Sequence, residues 1–185
     1  QSWVGQIYNQ LIRKKVLIIA YKGFRDTTSY LRKIHPYHLK QYNDRWFLFG
    51  FEESERHTGI TNLALDRIKE ITETIDDIVP DTNVWGDFFD EMIGVSIPNN
   101  QEPIEIKLRF SIGRIPYVTT KPIHGASQRL DKTDPEQRTI IINLIPNNEM
   151  YQNILSFGND VEVLSPISVV DEMKNISKKM NEYYN

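Results

Sequence analysis

The sequence predicts an α+β chain of two successive units, a small closed β-module and then a mixed α/β sandwich. Three observations carry this. Arg45-Trp46-Phe47-Leu48-Phe49-Gly50-Phe51 is a strand apolar on both faces, which fits a closed barrel or a doubly covered sheet rather than an open, half-wet one. It is one of five short strand-like runs between residues 16 and 72. After residue 103 the runs follow the order β-α-β-β-α-β with a tail helix. The first pattern suits an SH3-like or Sm-like barrel, the second a ferredoxin-like sandwich.

Taken in order, Trp3, Val4, Ile7, Leu11 and Ile12 recur at helical spacing, so residues 1–15 read as a linker helix. Val16 to Tyr21 is a β-type run, and Lys22 to Ser29 a polar loop. Tyr30 to Ile34 and Tyr37 to Tyr42 read as a strand interrupted at His35-Pro36, because Pro cannot donate to a ladder. Tyr42-Asn43-Asp44-Arg45 signals a tight hairpin, since Asn and Asp tolerate positive φ. Arg45 to Glu52 returns antiparallel, Glu53 to Gly59 reads as a polar loop, and Ile60 to Leu65 and Ile68 to Thr72 close the module.

The barrel is thus expected over residues 16–80, a connecting segment over 81–103 and the second unit over 104–185. Within the connection, Val84 to Ile93 reads as a short acidic helix and Pro98-Asn99-Asn100 as its close. Ile104 to Phe110 alternates with period two, the mark of a strand buried on one face. Gly113 to Val118 predicts a short helix, and Ser127 to Leu130 with Thr139 to Ile145 a hairpin. Asn147-Asn148-Glu149 caps a helix stopped by Gly158, Val161 to Leu164 is a strand, and Pro166 opens the terminal helix.

Composition narrows the function. The 185 residues are 39% hydrophobic and 25% charged, ordinary for globular material. No apolar run approaches the roughly 18 residues that span a bilayer. Zero Cys excludes disulfides, thiolate zinc sites and a Cys nucleophile, and is compatible with the expected cytoplasmic location. The glycines form neither a phosphate-loop nor a dinucleotide signature. No helix carries His at metal spacing and no Ser sits in a nucleophile elbow. We therefore expect no catalytic residue, no metal and no cofactor. A small hydrolase built on His38 is a second alternative.

The net charge of −3 is unevenly spread. Residues 1–50 hold nine Lys or Arg against two Asp, a net +7, whereas residues 51–100 hold three against twelve acids, a net −9. Either the basic segment forms a local anion site or the two segments neutralise each other on adjacent strands. The basic segment interleaves cations with rings: Tyr21, Tyr30, Arg32, His35, Tyr37, His38, Arg45 and Phe47. Single-stranded nucleic acid needs this combination, rings for bases and cations for phosphates. The competing reading puts the rings in the core and the Arg residues in solvent. Asp66-Arg67 is either a turn with Arg67 aimed at a ligand or an internal ion pair. Trp85, Phe88 and Phe89 on the acidic helix suggest a docking surface between units or across a dimer.

The both-faces strand, Leu63-Ala64-Leu65-Asp66-Arg67-Ile68 and Arg32-Lys33-Ile34-His35-Pro36-Tyr37-His38-Leu39 together resemble the WYL domain of bacterial transcriptional regulators. Pro122-Ile123-His124-Gly125-Ala126-Ser127-Gln128, Ile145-Pro146-Asn147-Asn148-Glu149-Met150 and the run from Ile154 to Pro166 resemble the WCX extension that follows many such domains. Two positions depart from the family pattern. Phe47 stands for the Tyr of the naming triplet, and Thr61 stands where many members carry an Arg.

The resemblance implies an effector-sensing, dimerising region with a nucleotide or single-stranded DNA or RNA ligand in the barrel. Tyr21, Arg32, His38, Phe47 and Arg67 are the site residues expected, with His124 and Gln128 as outer candidates that either cover the pocket or cap a loop. The resemblance also implies a homodimer and DNA contact through a helix-turn-helix that this sequence lacks. Gln1-Ser2-Trp3 reads as the start of an internal fragment. The alternative is a protein-interaction module without a nucleotide ligand.

Overall fold

A computed structural model of the chain describes residues 3–97 and 101–184. The Pro98-Asn99-Asn100 turn lies outside the described residues. The chain is of mixed α/β type and divides into two compact units, residues 1–85 and 86–185. Among the described residues no helix is long and apolar enough to cross a membrane.

The first unit opens with helix α1 (Val4–Ile12). Its apolar stripe buries Ile7 against the sheet, and Trp3 Nε1 donates to the Ile68 carbonyl at 3.2 Å. Strands β1 (Leu17–Tyr21), β2 (Tyr30–Tyr42), β3 (Arg45–Ser54), β4 (His57–Ala64) and β5 (Ile68–Glu73) form one antiparallel sheet in the order β4-β3-β2-β1-β5. Leu17, Ile19, Tyr21, Ile34, Leu48 and Leu63 line its inner face with Ile7. The predicted Asn43-Asp44 turn is present, with φ of 48° and 58°, the left-handed pair that matches strand twist.

Two expectations on this unit are corrected. The strand does not break at His35-Pro36. It runs through thirteen residues, with a register shift between Pro36 and His38. A bulge absorbs the donor that Pro lacks. The loop expected over Glu53–Gly59 is ladder instead, paired out to Ser54 with His57 and leaving Glu55-Arg56 as the turn. Polar composition suggested a loop there, but both side-chain rows beyond the core face water.

The outer face of the sheet carries Phe47, Phe49 and Phe51, and residues 74–85 lie across it. Val79 N donates to His35 Nδ1 at 3.0 Å, and Tyr37 Oη donates to the Val79 carbonyl at 2.9 Å. Trp85 packs edge-on to Phe49. The acidic helix is shorter than predicted, α2 spanning Trp85–Asp90. Met92, Ile93 and Val95 then turn inward, with Gly94 at a φ of 84° against the Glu149 side chain.

The second unit contains β6 (Ile104–Phe110), α3 (Ile115–Thr120), β7 (Arg129–Leu130), β8 (Thr139–Leu144), α4 (Asn148–Leu155), β9 (Val161–Ser165) and α5 (Ile167–Glu182). Its sheet order is β7-β8-β6-β9, every neighbour antiparallel. The alternation in β6 sends Ile106, Leu108 and Phe110 to one face, where Val118, Met150, Ile154 and Val169 from the helices meet them. Pro116 is tolerated because it sits in the first turn of α3. Asn147 caps α4 by accepting from Met150 N at 2.9 Å.

Gly50 pairs with Pro36 where the sheet bends. A Cβ there would lie inside van der Waals contact of the His35 carbonyl oxygen. Gly50→Ala is therefore expected to lower stability by about 1–3 kcal/mol, measured as a shifted urea midpoint. An unchanged midpoint would mean the two strands are not this close.

Candidate functional site

The site grows from the inner face of the first sheet, where that face reaches its edge. Tyr21 and Tyr30 are partners across β1 and β2, their rings edge to face with centroids 6.3 Å apart. Strand alternation places Arg32 on the same face as Tyr30 and Ile34. Its guanidinium lies 5.3 Å from the Tyr21 ring centroid. Glu52, opposite Ile34 on β3, shares that face and receives the Arg32 fork through both oxygens, Nε donating to Oε1 at 2.8 Å and the second nitrogen to Oε2. Arg32 also donates to Thr61 Oγ1 at 2.8 Å, and Ser54 Oγ donates to Glu52 Oε1 at 2.7 Å. The position that departs from the family pattern is thus a direct neighbour of Arg32.

Further cations surround this pair. Arg56, from the β3–β4 turn, lies 3.9 Å from the Tyr30 ring centroid. Arg67 belongs to the single 3-10 turn Leu65–Arg67 between β4 and β5, and stacks 3.9 Å over Phe24. Arg45 approaches the same ring at 5.8 Å and pairs with Asp66 at 3.2 Å. Phe24 is 76% exposed, so its second face is open to a ligand. The result is a row of rings and guanidinium groups in which Phe24 is exposed, Tyr30 half-buried and Tyr21 buried in the core. Asp66-Arg67 is not an internal pair, because Asp66 binds Arg45 and leaves Arg67 to Phe24.

Burial pushes the Glu52 carboxyl up, but hydrogen bonds from Arg32 and Ser54 outweigh it and hold the group below its ordinary range. Burial likewise opposes the charge on Arg32, and Glu52 reverses the balance. The Tyr21 hydroxyl accepts from Ala64 N at 3.3 Å. Burial raises its pKa, with Arg67 and Arg32 opposing that rise.

The expected site residues do not all meet. Tyr21, Arg32 and Arg67 share this surface. His38 and Phe47 belong to the opposite face of the sheet: His38 pairs with Phe49 across the strands, and Phe47 has the parity of Phe49 while Glu52 has that of Leu48. A pocket common to Arg32, His38 and Phe47 is therefore not formed. His38 instead stacks on Trp85, centroids 5.3 Å apart and planes 16° from parallel. Trp85 Nε1 donates to Asp81 Oδ2 at 2.6 Å. Burial lowers the His38 pKa, with Lys40 acting in the same direction and Asp81 against it.

In the second unit His124 and Gln128 serve their own loop. Gln128 Oε1 accepts from Ile123 N and its Nε2 donates to the Val118 carbonyl, both at 2.8 Å. Ser127 Oγ accepts from Asn143 N at 2.9 Å and sits 2.7 Å from His124 Nδ1. These side chains complete backbone pairing that the two-residue strand β7 leaves open, which is the loop-cap reading. Among the described residues no group of three or more His, Asp or Glu is placed to hold a metal. Sequence reasoning missed Phe24 and Arg56. A lone aromatic in the polar Lys22–Ser29 loop was the signal available for the first; the mistaken Glu53–Gly59 loop hid the second.

Two expected outcomes follow from these electrostatics. Glu52→Ala strands the Arg32 charge at a largely buried position and is expected to cost about 3–5 kcal/mol, read by chemical denaturation; a loss under 1 kcal/mol (about the worth of a surface pair) would place the pair in solvent. His35 is held neutral because burial outweighs Glu53 and Asp76, with Lys33 reinforcing the depression. Its neutral form accepts from Val79 N, so this contribution is full above the ordinary value of 6.5 and is lost as pH falls through the lowered folded-state value. Hydrogen exchange at Val79 should accelerate on acidification in the native chain and show no such step in His35→Gln.

Two family models match the chain, the WYL domain over residues 2–73 and the WCX domain over residues 102–180. No curated protein matches it. Among solved structures, one titled as the proteasome accessory factor B/C (PafBC) of Arthrobacter aurescens aligns over 93% of this chain and 25% of its own, at 13% identity and a TM-score of 0.38. Another, titled as a CRISPR Cas-related protein, aligns over 98% of this chain and 51% of its own, at 12% identity and a TM-score of 0.56. This chain therefore spans about a quarter of the first and half of the second, and only the second is close enough to indicate a shared fold. With both models matched in sequence order, the chain carries a WYL domain followed by a WCX domain.

Proposed function

We propose that this chain is the effector-sensing and dimerising region of a WYL-family transcriptional regulator, and that its first unit binds a single-stranded oligonucleotide or nucleotide. The observation that carries the reading is the pair of rings Phe24 and Tyr30 with Arg67 and Arg56 over them, floored by the buried Tyr21. Bases stack on exposed rings and guanidinium planes without sequence preference, while the cations hold the backbone. Phe24 offers a nearly free face, and Tyr21 and Arg32 hold the floor beneath it.

The fold assignment accompanies this reading. We take residues 16–80 as a small SH3-like or Sm-like barrel and residues 104–185 as a ferredoxin-like sandwich. The strand order β7-β8-β6-β9 with two β-α-β crossovers supports the second. In the assembled regulator, a cytoplasmic homodimer, ligand capture biases the spacing of two attached DNA-binding heads. It does so only to the extent that the ligand prefers one arrangement over the other.

The test is fluorescence anisotropy with a labelled single-stranded DNA of about 4–16 nucleotides, the span of comparable small barrels, at two salt concentrations. Binding is expected to weaken with salt, and Phe24→Ala to weaken it about tenfold, in line with the loss of one stacked base. No binding even at low salt would remove the ligand and leave the protein-interaction module as the function.

A further inference from the structure

The cations of this surface are not equivalent, and their pairing decides which of them a ligand meets. Arg32 has spent its fork. Its Nε and one terminal nitrogen donate to Glu52, whose side chain is 1% exposed, and that terminal nitrogen also donates to Thr61. Arg45 is paired with Asp66. Arg56 and Arg67, by contrast, pair with no carboxylate among the described residues, and each lies over a ring, 3.9 Å from its centroid. The Arg67 Nε is buried without a hydrogen-bond partner.

Resting on the nucleic-acid reading above, we infer that Glu52 and Asp66 act as charge filters that reduce a four-arginine surface to two ligand-contacting cations, Arg56 and Arg67. Arg32 is then a positioning residue. It fixes the Tyr21 ring and the end of β3 but does not touch phosphate. The matching ligand is a strand segment with two backbone phosphates, one near each guanidinium that lacks a carboxylate partner. Its bases lie along the rings between them. The Glu52 carboxylate occupies the Nε–Nη2 edge of Arg32, the pair of donors a bidentate phosphate would take, so phosphate binds Arg32 by that edge only after displacing Glu52. Displacement would leave a fully buried carboxylate without its countercharge, the costly outcome for such pairs.

The number of phosphates neutralised is directly measurable, because the slope of log K against log salt is about −0.7 per phosphate for single strands. Titrations of the intact chain with short single-stranded DNA should give a slope of about −1.4. Arg56→Ala and Arg67→Ala should each reduce its magnitude by about 0.7. Glu52→Gln, which keeps an acceptor for Arg32 but removes the charge, should steepen the slope by about 0.7. The paired variant Arg32→Gln with Glu52→Gln should retain the native slope.

A slope unchanged in Arg56→Ala and Arg67→Ala overturns the inference, and so does a paired variant whose slope falls by one phosphate. Absence of any binding at low salt overturns the nucleic-acid reading itself, so the two failures are distinct. Arg56 and Arg67 sit on turns at the rim of the sheet rather than in its core. If circular dichroism shows the paired variant unfolded, the slopes of these two single variants decide the question alone.

Discussion

The first unit is organised by one constraint: a central strand with no polar face cannot be left wet on either side. Leu48 and Phe49 on β3 are both fully buried although they point in opposite directions. Helix α1 meets the inner face and residues 74–85 meet the outer one, so two segments flanking the sheet in sequence become its two covers. Each cover is tied by polar bonds as well as apolar contact. Gln10 and Arg13 of the helix and its exit hold Glu73, and His35 and Tyr37 hold both backbone groups of Val79. Covering the sheet in this way buries Phe49 on the ring-bearing outer face, with Phe47 and Phe51 half-buried beside it, and leaves the edge of the inner face open.

That edge is where polarity re-enters the sheet. The inner face runs from Leu48 to Glu52 and from Ile34 to Arg32, so the apolar row ends in a carboxylate and a guanidinium. Burying either alone costs several kcal/mol, and the fork geometry with Ser54 and Thr61 completing the remaining bonds is what makes the burial tolerable. The pair thereby closes the core and forms the floor beneath Tyr21 and Tyr30.

The second unit obeys a simpler rule. Its sheet is covered on one face by α3, α4 and α5, and its other face carries cross-strand pairs such as Lys107–Asp131 and Arg129–Glu105. The Asp131 carboxyl is held down to about 2 by hydrogen bonds from Thr133, with Lys107 adding to them. Charge on that face is thus largely internal. The Gln128 and Ser127 side chains of the 123–128 loop are likewise committed to backbone groups.

Local pattern determined much of this protein. Period-two runs located the strands, the 3.6-residue stripe located α1, the Asn43-Asp44 pair fixed its hairpin, and Asn147 fixed the start of α4. These signals are legible because neighbours in sequence are their physical cause. The family was equally legible in the segments around Trp46 and Leu164. What the sequence could not determine was which side of the sheet each polar residue faces. A single bulge after Pro36 reverses the parity of β2, and so Arg32 and His38, six residues apart, end on opposite faces. Nor could it determine which arginines are free, since Glu52 lies twenty residues from Arg32 and Asp66 twenty-one from Arg45. Those pairings are set by strand register, a long-range property of the folded sheet, and only the tertiary structure supplies it.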